Sequence, residues 1–195
     1  DARKSRGLGD VYKRQAKAIV NDGELVFVGY GVNAPEYGWN DYKVDVAGKT
    51  VVMLINDPGF ELQGDDFNGK AMTYYGRWTY KYEEAARQGA AGVIIIHDTA
   101  PAAYGWNVVE TSWSGEQVDL SYADKNISRA PFEAWITLDI AETLFASLGT
   151  SYEEMKQQAL SKDFVPVPIS TASLSSNIYN TLNFSESHNV VGYVE

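Results

Sequence analysis

RWTYKYEEAARQGAAGVIIIH, Arg77 to His97, changes its period half-way and thereby decides the fold class. From Arg77 to Gln88 the spacing is helical, with Trp78, Tyr82, Ala85 and Ala86 on one face and Lys81, Glu84 and Arg87 on another. Glu83 and Glu84 read as solubilising residues of that helix, and Gly89 closes it. GVIIIH, Gly92 to His97, is apolar on both faces, as expected of an interior strand. Upstream, VAGKTVVMLINDPG turns at Gly48, runs as an apolar strand from Thr50 to Ile55, and is stopped by Asp57, Pro58 and Gly59. Strand, helix, strand is a crossover unit, so an α/β, β-rich fold is expected.

Working outward, Glu24–Val32 alternates and reads as a strand running into glycine turns, and Asn33–Tyr42 reads as a loop. Phe60–Ala71 is an acidic, glycine-containing loop of the length that often carries function. Pro101–Asp124 shows no clean period and is expected to be a long surface excursion. Ala130–Leu138 is a strand candidate, followed by a helix for which Asp139 is the expected cap. Ser151 and Glu154 fit the capping box of a further short helix. Thr171–Asn183 resembles an exposed antiparallel strand, and Asn189–Val194 is strand-like again.

The 195 residues suffice for one domain with a real core. DARKSRGLGDVYKRQ, residues 1–15, has neither period and holds five basic and two acidic residues; it is expected to be non-native or assembly-derived. Over the whole chain 16 basic residues face 26 acidic ones, a net charge of −10; with 1–15 set aside, 11 face 24 and the balance is −13. That charge argues against a phosphate-binding surface, so no nucleic-acid partner is expected, and a basic or polar peptide suits it better. No run reaches the roughly 18 apolar residues of a membrane span. The absence of cysteine removes disulfides and thiolate chemistry.

Catalytic motifs fail one by one. His97 and His188 stand 91 residues apart, outside any HExxH pattern, and His97 with Asp98 lacks a third ligand. A histidine hydrogen-bonded at a strand end explains His97 as well. GDDFNG, Gly64–Gly69, lacks the carboxylates that a calcium loop needs at its first and last places. There is no GxSxG elbow, and AGKT lacks the first glycine of a phosphate loop. The acidic pairs Asp65–Asp66 and Glu83–Glu84 cannot be singled out as acid and base. The sequons at Asn126–Ser128 and Asn183–Ser185 are short enough to arise by chance.

Taken together, ELVFVGYGVNAPEYGWNDY (Glu24–Tyr42), GKTVVMLINDPGF (Gly48–Phe60) and the run from Phe67 to Val109 resemble the protease-associated (PA) domain inserted in zinc aminopeptidases of metallopeptidase family 28. ITLDIAETLFASLG and SHNVVGYV, Ser187–Val194, are similar to the end of that insert and the return to the peptidase domain. The resemblance implies a three-layer β/β/α swivelling domain over 16–186, with 187–195 beginning a peptidase domain. It implies that this segment is non-catalytic, holding neither the catalytic nor the metal residues, while two zinc ions sit in the peptidase domain of the parent. It also implies a secreted or periplasmic setting, and a cap that governs access of peptide substrates to the cleft of its own parent chain. The contact residues expected on such a cap are Tyr74, Tyr75, Arg77 and Trp78, with Tyr104 and Trp106 as a second aromatic loop, because Tyr, Trp and Arg dominate interface energetics. The alternative is a stand-alone peptide- or glycan-binding module using the same aromatic loops.

Overall fold

The computed structural model describes residues 17–62, 64, 66–117, 129–188 and 192. Residues 1–15, Asp65, the sequon at Asn126–Ser128 and all of the expected terminal strand except Gly192 lie outside the described residues. In chain order the elements are β1 (Lys17–Phe27), β2 (Asn33–Ala34), β3 (Trp39–Asn40), β4 (Thr50–Leu54), α1 (Gly59–Leu62), α2 (Trp78–Arg87), β5 (Gly92–Ile96), α3 (Thr99–Ala102), α4 (Trp106–Ser112), β6 (Phe132–Ile136), α5 (Leu138–Ala146), α6 (Tyr152–Gln158) and β7 (Val167–Tyr179).

Five strands form one sheet in the order β6-β5-β4-β1-β7, while β2 and β3 make a small ribbon. β1, β4, β5 and β6 run parallel, with Val52 beside Ile94 and Ile94 beside Ala134. β7 returns antiparallel along β1 and bulges where Glu24 pairs Ser173 but Leu25 pairs Ile169. β1 also approaches β6, so the sheet is curled. This is the mixed α/β, β-rich architecture expected of a PA-like domain, and the crossover from β4 through α2 to β5 lies at its centre.

Alternate residues of each strand face opposite sides, which creates two apolar cores. Phe27, Leu54, Ile94, Ile96 and Ile136 face Phe145 of α5 and Tyr152 and Met155 of α6. Val51, Met53, Val93, Ile95 and Trp135 face Tyr82 and Ala85 of α2 and Val109 of α4. Each such side chain contributes about 1.5–3 kcal/mol by leaving water.

Three expectations are corrected. The first part of Pro101–Asp124 is not an irregular excursion, since it completes α3 and forms α4, burying Ala102 and Val109. Helices of one or two turns are too short to display a period in sequence. Asp139 does not cap α5; the cap position is Thr137, which makes no side-chain cap bond, and Asp139 sits in the first turn, where its charge favours the helix dipole. The outward face assigned to Lys81 and Glu84 is covered, with both residues buried. The capping box of α6 is formed as expected: Ser151 Oγ accepts from Glu154 N at 3.2 Å, and Glu154 Oε2 accepts from Ser151 N at 3.0 Å.

Candidate partner-contact surface

Because β1, β4, β5 and β6 are parallel, the segments that follow them leave from one edge of the sheet, the carboxyl edge where α/β domains most often bind. One of these, between β4 and α2, is held by Asn56 and Asp57, both buried. Asp57 Oδ2 accepts from Thr73 N at 3.0 Å and from Thr73 Oγ1 at 2.6 Å, while Oδ1 accepts from Gly59 N at 3.1 Å. Asn56 Oδ1 accepts from Asp57 N, and its Nδ2 donates to Pro101 O at 2.8 Å, tying this loop to α3. Gly76 is required here: a Cβ would lie 2.7 Å from Asn56 Oδ1 and 2.6 Å from Met72 Cγ.

Between the latched ends, Phe67 turns inward. It is fully buried at φ +58°, a left-handed conformation uncommon for a bulky residue. Its ring lies 4.5 Å from that of Tyr37, 5.5 Å from Trp39 and 6.0 Å from Tyr75. Outside, Lys156 grips Glu61 at 2.6 Å and Lys162 grips Asp66 at 2.9 Å. The loop is therefore a packed lobe of the surface.

The six sequence-predicted contact residues divide into two groups. Tyr74 and Tyr75 both stand edge-on to Tyr80, at 5.4 and 5.0 Å. The Tyr75 hydroxyl donates to Glu36 at 2.5 Å, which pushes the phenol up to about 12 and holds the Glu36 carboxyl below its ordinary range. The Tyr74 hydroxyl donates to Glu83 at 2.8 Å, and that bond raises its pKa too. Tyr75 is half-buried against the first core, whereas Tyr74 is 55% exposed and Arg77 is exposed beside it. Trp78, Tyr104 and Trp106 pack against the second core. Trp78 meets Trp113 edge-on at 5.5 Å, and Tyr104 and Trp106 each lie 5.6 Å from His97. All six follow β4 or β5 in the chain.

A model of the PA domain family matches residues 20–126, more than half of the chain. The chain belongs to the PA domain family. Comparison with curated proteins and with solved structures gave no match.

In this PA domain His97 is buried, and its Nε2 lies 3.0 Å from Tyr104 O. Burial lowers its pKa, so it is neutral near pH 7 and fastens the Tyr104–Trp106 segment by a hydrogen bond and ring contacts. Its neighbour Asp98 caps α3 and accepts from the Tyr152 hydroxyl at 3.1 Å. Among the described residues, no three His, Asp or Glu side chains converge to hold a metal ion.

Sequence reasoning missed the buried charges behind the lobe. Lys81 is fully buried and donates to Tyr30 O at 2.5 Å; burial pushes its amine down to about 7. Asp41 accepts from Val32 N at 2.9 Å and from Trp39 Nε1 at 2.8 Å, yet burial raises its carboxyl to about 7 against the pull of those donors. Glu84 accepts from Asn33, Arg87 and Gln88, joining α2 to the β2 ribbon. WNDY contained a signal: an aspartate two residues after a tryptophan can take the indole N–H.

Proposed function

We propose that this PA domain is the non-catalytic cover of a zinc-dependent aminopeptidase of metallopeptidase family 28. In this reading it lies over the catalytic cleft and modulates access of peptide substrates, or contacts with other proteins, in a secreted or periplasmic parent. The observation that carries the reading is the latched lobe of a PA domain, which holds Tyr74 and Arg77 outward at the carboxyl edge of the sheet. A surface prepared in this way spends little conformational entropy on contact. The resemblance of the long motif run from Glu24 to Val109 to the inserts of that family supports the choice of parent class. Two zinc ions would then serve the peptidase domain of the parent, where they supply Lewis-acid and water activation. This chain's part is steric and adhesive: the lobe limits what approaches, and Tyr74 and Arg77 hold what is admitted.

The test uses the parent protein with its peptidase domain, carrying Tyr74→Ala with Arg77→Ala. A change of KM for peptides of five or more residues, with turnover of a single-residue aminoacyl anilide unchanged, is the expected result. Identical KM and kcat for both substrates would overturn the proposal.

A further inference from the structure

The lobe is acidic in sequence, but its last stretch, Lys70 to Arg77, holds two basic residues and no acidic one. Ten basic residues are described, and eight of them are engaged. Lys49, Arg87, Lys156 and Lys162 hold carboxylates, Lys43 and Lys81 donate to backbone carbonyls, Lys17 lies over the Tyr179 ring, and Arg129 also has a partner. Among the described residues this leaves Lys70 and Arg77 exposed with no ion pair or side-chain hydrogen bond. They bracket KAMTYYGR, in which Thr73, Tyr75 and Gly76 turn inward while Lys70, Met72, Tyr74 and Arg77 stay exposed. The inward residues are fixed by the Asp57 latch and the Phe67 ring cluster, so the outward four are displayed from a held backbone. Two carboxylates from outside the strip, Glu83 and Glu36, are taken by the Tyr74 and Tyr75 hydroxyls. On a chain of net charge −10, the strip presents two exposed cations, without an ion pair among the described residues, beside two exposed apolar side chains.

We infer that the Lys70–Arg77 strip docks a polypeptide segment carrying Asp or Glu carboxylates next to an aliphatic or aromatic side chain. The guanidinium and ammonium take the carboxylates while Met72 and Tyr74 take the apolar neighbour, a pairing that fixes register as well as strength. Met is suited to this because its thioether adapts to more than one apolar shape. The partner is thus the opposite of what the overall charge suggests. A distant acidic surface is screened within about 10 Å at ordinary salt, whereas the cations at the strip act at contact. This inference rests on the proposed reading of the lobe as a contact surface and adds the chemistry of what it contacts.

The experiment measures fluorescence anisotropy of the 195-residue chain with three labelled decapeptides, alternating Glu-Leu, Gln-Leu and Lys-Leu. Glu-Leu is expected to bind most tightly and to weaken about tenfold when salt is raised from about 50 to 500 mM. Lys70→Glu with Arg77→Glu should weaken Glu-Leu at least tenfold and favour Lys-Leu, whereas Lys17→Glu on β1 should change neither. Circular dichroism and thermal unfolding check that the double variant stays folded, which its exposed positions favour. If the double reversal leaves the peptide order unchanged while Tyr74→Ala weakens all three, the acidic-partner inference is overturned and the contact surface stands. If neither variant alters binding, both fall.

Discussion

Replacing Phe67 by Ala tests whether the lobe is held from within. The ring is fully buried and has three aromatic neighbours between 4.5 and 6.0 Å. Loss of a buried Phe costs about 3–5 kcal/mol in transfer and cavity terms. The edge contacts place this site in the upper part of that range, at about 4 kcal/mol. The backbone adds a second, independent expectation. At φ +58° an Ala retains the left-handed strain of about 1 kcal/mol that a Gly does not feel. Phe67→Gly should therefore be at least as stable as Phe67→Ala, the reverse of the order at an ordinary position. Urea unfolding followed by tryptophan fluorescence gives both numbers. Hydrogen exchange of the amides between 59 and 73 should show the lobe opening before the sheet, because the sheet keeps its own cores. A loss below about 1 kcal/mol for the Ala variant, or an Ala variant clearly more stable than the Gly variant, would refute the reasoning.

Asp57→Asn places an amide donor among three N–H and O–H donors, so about 1–3 kcal/mol should be lost. Exchange should quicken at Thr73, and a normal exchange rate there would contradict the latch. Lys81→Met should remove a pH dependence. The amine stands at about 7 when folded, against about 10.5 when unfolded, so its contribution is full above pH 10.5 and is lost as pH falls through 7. Wild type should lose stability relative to Lys81→Met over that interval in urea melts at stepped pH; parallel curves would rule the effect out.

The centre of the fold was legible in sequence because GVIII and TVVML are apolar at every position, which only a strand covered on both faces tolerates. Helix α2 was legible for the same kind of reason, but its burial was not. Periodicity assigns Lys81 and Glu84 to water by their charge, whereas tertiary partners at Tyr30 O and at Asn33, Arg87 and Gln88 make their burial tolerable. Phe67 was hidden by its acidic surroundings, because nothing local distinguishes a loop that floats from one plugged by a single ring. Of the contact residues, Tyr74 and Arg77 stand outward, while Trp78 packs on the second core through Trp113, distant in sequence, and Tyr104 and Trp106 pack there against His97 at the end of β5, a contact that no period announces.

The pairing of β1 with β7 also has a temporal side. Of the described strands the first lies beside the last, with Asp22 bonded to Ser175 across 153 residues. The residues from 20 to 126 that match the family include β1, β4 and β5 but neither β6 nor β7, so both flanks of the sheet are supplied by chain made afterwards. During synthesis β1 must therefore wait, one edge unpaired, until nearly the whole domain has emerged. Closing so long a loop is slow, because its entropy is lost before its contacts are gained. An unfinished chain of this domain exposes a strand edge of the kind that invites mispairing with other chains.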